Sequence, residues 1–430
     1  MLAPLQAGLT WDVWDEQIRK HFPLTAHVET TDEEWTIKPT GVEPTIAVDF
    51  YLLNYEKVSQ RKKVGRGSRK KWHYPYVAEV ENWGPDIVVC DESHRLKRAG
   101  GVAAQATWRM VRRLRKRSPS GRPYVFELTG TPAPKGWIDI FAQYRVMNDE
   151  VFGTDKASFE QEYVEYGQGP RKYTILRYHN EKRLLRKIHE HSYTCTAEQA
   201  GLAGEQFWQK LWVTLPPKVR KTYDEMAEEF ITQLEGGEYV SASNPAVKRL
   251  RLLQITGGFT TEGVEIHREK LSKATGWAEN LFEQGESVIV YCRYLPEVFA
   301  VAEAFEGVGY RTDAIHGGNS SGRRAAVRSF QRTPASKCAA LVFQVQTGSM
   351  AIELSRAAEM LIYSPPDGWE NYWQCLLRVM GINQKRPVRY THILAHNTMD
   401  LPVMEGLVQK EDWHRTLLKD PRRFLGGMIQ

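Results

Sequence analysis

Ile87-Val88-Val89-Cys90-Asp91-Glu92-Ser93-His94 is the stretch on which the fold turns. Four apolar residues in a row read as a buried strand, and the strand ends on two adjacent carboxylates. Such a strand delivers both acids to the C-terminal edge of an α/β sheet. There they suit the hydrolysis of ATP: one carboxylate can hold Mg²⁺ through water and the next can polarise the attacking water. An Asp-Glu pair alone is common. It gains weight from Leu128-Thr129-Gly130-Thr131-Pro132, which closes a second apolar strand at the spacing of an αβ crossover.

Working outward, residues 1–147 alternate apolar strands with helical stretches, the pattern of a doubly wound parallel sheet. Trp11 to His21 reads as a helix, Thr45 to Leu53 as a strand, and Val102 to Arg117 as a helix. Tyr124 to Leu128 reads as a strand, and Ile138 to Tyr144 as a helix after Pro134. Residues 148–262 are rich in Glu, Lys, Arg, Tyr and Phe, with helical spacing over Glu181 to His191 and Lys218 to Leu234. They are expected to form a helical insertion and linker. Residues 263–400 return to the β/α alternation, with strands near Ser287–Tyr291, Arg311–Ile315, Ala340–Gln344 and Met360–Tyr363. A helical tail is expected over 401–430. The fold class is therefore α/β, with two doubly wound parallel-sheet lobes.

The chain has 430 residues, 26% charged and 42% hydrophobic, which is ordinary for a globular protein of two or three domains. No apolar run is long enough to span a membrane and no signal-peptide pattern occurs. The five cysteines (Cys90, Cys195, Cys292, Cys338 and Cys375) are scattered, with no Cys-x-x-Cys. That favours reduced thiols, a cytoplasmic setting and no zinc site. Cys90 and Cys292 lie in apolar strands and read as core fillers.

The net charge is only +6, so its distribution matters more. Arg61-Lys62-Lys63, Arg66 and Arg69-Lys70-Lys71 crowd one glycine-containing loop, and Arg112-Arg113 with Arg115-Lys116-Arg117 closes a helix. Such clusters favour a phosphate backbone by charge rather than base identity. The plainer reading is a solvated face or a helix end complementing its dipole. Residues 60–71, read as a basic hairpin, are the better DNA-binding candidate, through Arg61, Lys62 and Lys63.

Taken in order, the short motifs resemble those of superfamily 2 DEAD/DEAH-type helicases, in the Swi/Snf-like DNA translocase branch with its phage and bacterial relatives. Ala3-Pro4-Leu5 with Trp11 resembles motif Ia, and Asn54-Tyr55-Glu56 the next motif of the first lobe. Asp91-Glu92-Ser93-His94 and Leu128 to Pro132 resemble motifs II and III. Val288 to Cys292, His316-Gly317 and Arg323 to Phe330 resemble motif IV and its following segment. Gln346-Thr347-Gly348 through Leu354-Ser355-Arg356-Ala357 resembles motif V, and Gln374, Arg378, Gln384 and Lys385 to Val388 resemble motif VI.

The resemblance implies two RecA-like lobes that hydrolyse ATP with Mg²⁺ between them and step along duplex DNA. It implies that His94 couples the nucleotide site to Thr129 and Thr131. Arg378 would reach the γ-phosphate, with Gln374 one helical turn earlier. Gln346, Thr347 and Arg293 would contact DNA phosphates. Trp369, Tyr372 and Trp373 read as packing residues more than base-stacking ones. No strand-separating element is apparent.

Three departures matter. No stretch reads Gly-x-x-x-x-Gly-Lys-[Ser/Thr], and Gly65 to Lys71 has the wrong spacing. The first lobe is therefore expected without its Walker A segment and the strand that feeds it. Gly381 stands where a second motif VI arginine is usual, with Arg386 and Arg389 nearby in sequence. Ala351 stands where motif V usually has glycine. The expectations that follow are an incomplete ATPase, a non-hydrolysing DNA-binding remnant, or one chain of a split enzyme whose partner chain supplies the phosphate loop.

Overall fold

The computed structural model describes residues 2–3, 18, 28–30, 50–65, 71–134, 136–169, 172, 175–195, 199, 204–235, 243–317, 322–334, 336–344, 354–366, 368–380 and 384–408. Gln346, Thr347, Ala351, Gly381, nearly all of Trp11 to His21 and the tail past 408 lie outside them. Ile18 is helical and 400–408 are helical.

The first sheet takes β1 (Leu2–Ala3), β2 (Val28–Thr30), β3 (Phe50–Asn54), β6 (Ile87–Asp91) and β7 (Tyr124–Leu128) in the order β2-β3-β1-β6-β7. Every pairing in it is parallel. Between β3 and β6 the chain forms α1 (Tyr55–Ser59), an antiparallel hairpin of β4 (Lys62–Val64) and β5 (Lys71–His73), and α2 (Pro75–Trp83). Between β6 and β7 runs α3 (Val102–Arg117). Its buried Thr107, Met110, Val111 and Leu114 fall at helical spacing. Met110, Val111 and Leu114 share one core with Val88 and Cys90. Part of the basic end of α3 is committed to the fold: Arg113 pairs with Glu81 at 2.6 Å, and Arg115 donates to the carbonyls of Pro123 and Met147.

A single face of β7 meets that core. Val125 packs there, while Tyr124, Phe126 and Leu128 on the other face are 59%, 53% and 43% exposed. Beyond β7 lie α4 (Ile138–Met147), α5 (Asp149–Phe152), α6 (Lys156–Tyr163), the hairpin β8 (Val164–Tyr166)–β9 (Ile175–Tyr178), and α7 (Glu181–Glu190).

The second sheet is six-stranded and wholly parallel, in the order β10-β15-β14-β11-β13-β12. Its strands are β10 (Gln206–Val213), β11 (Val288–Cys292), β12 (Arg311–Ile315), β13 (Ala339–Gln344), β14 (Glu359–Ile362) and β15 (Val388–Ala395). The helices are α8 (Pro217–Glu235), α9 (Ser243–Gly257), α10 (Glu269–Glu283), α11 (Leu295–Val308), α12 (Arg323–Arg332) and α13 (Trp369–Leu377). β11 is buried at all five positions, as a central parallel strand must be.

The chain divides into two compact units, one built on residues up to Thr194 and the other on Cys195–Trp413. The segment 148–262 is thus shared between them, and it is not all helical. β10 joins the second sheet beside β15 over eight residue pairs.

Candidate functional site

β6 delivers its acids through a strained turn. Glu92 sits at φ 50° and ψ 50°, in the left-handed region that non-glycine residues seldom adopt. The backbone N–H of Glu92 donates to Asp91 Oδ1 at 3.0 Å. A short 3-10 turn, Ser93–Leu96, then buries Ser93 and His94. Ser93 Oγ donates to Gln143 of α4 at 3.0 Å. Gln143 in turn donates to the carbonyls of Pro132 and Asp139. This clamps the turn after β6 to the turn after β7.

His94 is the hub between those turns. Its Nδ1 lies 3.2 Å from Glu92 Oε2, 3.1 Å from Thr129 Oγ1 and 3.4 Å from Thr131 Oγ1. Thr131 N–H donates to Thr129 Oγ1 at 3.0 Å, closing the cluster. One ring nitrogen facing three oxygens carries at most one proton. If it donates to Glu92, the threonine hydroxyls must bond elsewhere; if it accepts from a threonine, Glu92 is released. The structure therefore brings together Asp91, Glu92, His94, Thr129 and Thr131.

α1 is tied to the same edge. Tyr55 Oη donates to the carbonyl of Asp91 at 2.8 Å, and Arg95 pairs with Glu56 at 3.0 Å. Asn54 caps α1 by accepting from the Lys57 N–H at 2.7 Å. Arg61, Lys62 and Lys63 follow directly and are exposed. Beneath the turn, Oε1 of Glu127 is buried without a hydrogen-bond partner. Burial holds the Glu127 carboxyl well above the usual carboxylate range, and the Ser93 hydroxyl pulls it partly back. Burial likewise pushes up the Cys90 thiol, so Cys90 is inert core. Sequence reasoning passed over Tyr55 as a ligand of the turn and Glu127 altogether. An acid inside Tyr124–Leu128 was the available signal for Glu127.

Gln374 and Arg378 belong to the second unit, on and just after α13. α13 is fixed to β15 by Tyr390 Oη donating to the Leu376 carbonyl at 2.9 Å, and by Tyr372 Oη against His392 Nε2 at 2.9 Å. Trp369 and Tyr372 are buried, in keeping with packing. The Leu354 N–H donates to the Arg378 carbonyl at 2.8 Å, which joins α13 to the segment before β14. Gln384 Nε2 reaches the carbonyls of Ser355, Ala357 and Val379, so its amide pins the chain there. Arg386 forks onto Glu286 at 2.6 and 2.8 Å, and Arg389 pairs with Glu359 at 3.2 Å. Both arginines near Gly381 in sequence are thus engaged within their own unit.

Arg293 is buried at 7% exposure, just past β11. Its N–H faces Glu297 Oε2 at 3.1 Å and Ser364 Oγ at 2.9 Å, while Ser364 Oγ donates to Glu297 Oε2 at 2.6 Å. A Cβ at Gly257 would collide with the other Glu297 oxygen, so the carboxyl fits only beside a glycine. Burial raises the Glu297 pKa to about 7. Nothing in the sequence marked this acid, because its burial arises only from packing.

Among the described residues no group of three or more His, Cys, Asp or Glu could hold a metal ion, and no helix is long and apolar enough to cross a membrane.

Residues 269–383 match the family model for the helicase conserved C-terminal domain. Putative protein p41 of Acyrthosiphon pisum secondary endosymbiont phage 1 is 25% identical over 363 residues, 80% of this chain and 74% of that protein. The Sulfolobus solfataricus SWI2/SNF2 ATPase core domain overlaps 97% of this chain and 78% of its own, at 16% identity and a TM-score of 0.41. The same organism's SWI2/SNF2 ATPase core in complex with dsDNA overlaps 97% and 81%, at 16% identity and a TM-score of 0.39.

Proposed function

We propose that the chain is a superfamily 2 helicase of Swi/Snf-like type, on its ordered motifs and its match to the helicase conserved C-terminal domain, and that it couples ATP hydrolysis to movement on DNA. One observation carries the reading: a cluster of Glu92, His94, Thr129 and Thr131 at the C-terminal edge of a parallel sheet. That edge is where open α/β sheets bind ligands.

In this reading Asp91 holds the hydrated Mg²⁺ that travels with ATP, and the ion neutralises charge on the phosphates. Glu92 orients the attacking water and takes its proton. His94 sets whether Glu92 is available, according to which oxygen its Nδ1 serves. Thr129 and Thr131 carry that state to the turn after β7. Gln374 and Arg378, on and just after α13, are the chain's further nucleotide-binding residues. The exposed Arg61, Lys62 and Lys63 face DNA phosphates, whereas Arg293 is buried and does not fit the phosphate-contacting role that the resemblance implies for it. The setting is the cytoplasm of a bacterium or a phage-infected host.

A second reading is a DNA-binding protein that does not hydrolyse ATP. The sequence favours it at Gly381, where a second motif VI arginine is usual, and at Ala351, where motif V usually has glycine. A split enzyme, with the phosphate loop on a partner chain, is the third. ATP turnover by the 430-residue chain, with and without duplex DNA and beside Glu92→Gln, separates them. DNA-stimulated turnover that is lost in Glu92→Gln is the result expected of a working site. Equal turnover in both proteins would remove Glu92 from the chemistry. DNA binding without turnover would favour the second reading, or the third if a phosphate-loop segment added in trans restores activity.

A further inference from the structure

The β4–β5 hairpin belongs to neither core. All six residues of its strands are exposed, with Val64 at 50% and Trp72 at 47%. A two-stranded ribbon gains little stability in water by itself, and an indole left open on one is a ligand surface in want of a ligand. The register sets Lys63 opposite Trp72 on one face, with Lys62, Val64, Lys71 and His73 on the other. The Arg61 guanidinium lies 4.2 Å from the Trp72 ring centroid and the Lys63 ammonium 5.1 Å from it. An apolar plane is thus ringed by cations.

The two kinds of group ask for different parts of one ligand. The cations suit phosphates. The indole suits a flat π-face, and a stacked duplex shows only base edges and backbone on its outside. A base offers its face only when it is unpaired and unstacked. We infer that Trp72 is the stacking platform for an unpaired nucleobase of a DNA strand whose phosphates Arg61, Lys62 and Lys63 hold. An exposed cation–π contact is weaker than base–indole stacking, so the ring exchanges a cation for a base and the freed cation turns to a phosphate. The hairpin hangs from α1, which Tyr55 and Glu56 tie to the turn that carries Asp91 and Glu92. Strand engagement and the candidate chemistry therefore share one edge of one sheet. This deepens the proposed DNA reading, on which it rests, by naming single-stranded or junction DNA as the preferred form.

Fluorescence anisotropy with three labelled DNAs tests it: a blunt duplex, the same duplex with a single-stranded tail, and the single strand. Trp72→Ala is expected to weaken the tailed and single-stranded DNAs about tenfold and the blunt duplex less than twofold, with an unchanged salt slope. Trp72→Phe should keep most of the affinity. The Lys62→Ala/Lys63→Ala protein should lose affinity for all three and show a shallower salt slope. A 2-aminopurine at the first unpaired position should be quenched by the native protein and by Trp72→Phe, which covers the case where Trp72→Ala disorders the hairpin. Equal loss on all three DNAs, or no loss, together with an unquenched 2-aminopurine, would overturn the assignment of Trp72. Failure of the native protein to bind any of the DNAs would instead sink the DNA reading itself.

Discussion

Glu92 shows what the candidate chemistry costs the chain. A left-handed backbone is unfavourable for a side chain with a Cβ, and glycine removes that penalty. Glu92→Gly also deletes the carboxylate and its 3.2 Å contact with His94, a partly exposed pair of small worth. Glu92→Gly should therefore be neutral or stabilising by up to about 1 kcal/mol, while any ATPase activity is lost. Urea midpoints beside turnover assays check it. A clear drop in stability would mean that the Glu92–His94 contact, not the function, holds the strained turn. The acids, His94 and both threonines were legible in sequence because each follows directly on an apolar run. Tyr55 and Glu127 were not legible in their roles, since what they touch lies 36 residues away in one case and is fixed by burial in the other.

At the scale of elements, the Glu297 carboxyl joins three of them. It begins α11, accepts from the chain leaving β11, and accepts from Ser364 beyond β14. Its carboxyl is buried and titrates near pH 7 instead of near 4.5. Below pH 4.5 both folded and unfolded chains hold the proton, so the shift contributes nothing. As pH rises the unfolded chain releases it first, and stability falls until the folded carboxyl also ionises at about pH 7. The full loss is on the order of 3 kcal/mol. Glu297→Gln mimics the neutral acid and should remove this slope. Urea midpoints of native protein and variant should diverge as pH rises through that window and run parallel above it. A constant difference across the window would mean that Glu297 is ionised throughout in the folded state. Elements with continuous apolar runs or a clean 3.6-residue period were read at or near their true bounds, as with β6, α3 and β11. β10 escaped notice because Gln206–Val213 mixes aromatic and polar residues, as an exposed edge strand does, inside a strongly charged region.

For the whole molecule, the division into two units is a statement about cooperativity. Each unit has its own core, one around Val88, Cys90, Met110 and Leu114, the other around Val290, Cys292, Leu361 and Ile393. The second also holds a fully buried ion pair, Lys270 Nζ to Asp400 Oδ2 at 2.6 Å. Asp400 additionally accepts from Thr256 Oγ1 and the Ala395 N–H, so it gathers α9, α10 and the end of β15. Lys270→Met strands a buried carboxylate and should cost about 3–5 kcal/mol. Val88→Ala trims the first core and should cost about 2 kcal/mol. If the cores fold separately, denaturation runs in two steps, and each substitution moves only its own step. Scanning calorimetry of the native protein and both variants reads this directly. A single transition displaced by either substitution would mean that the two cores unfold as one.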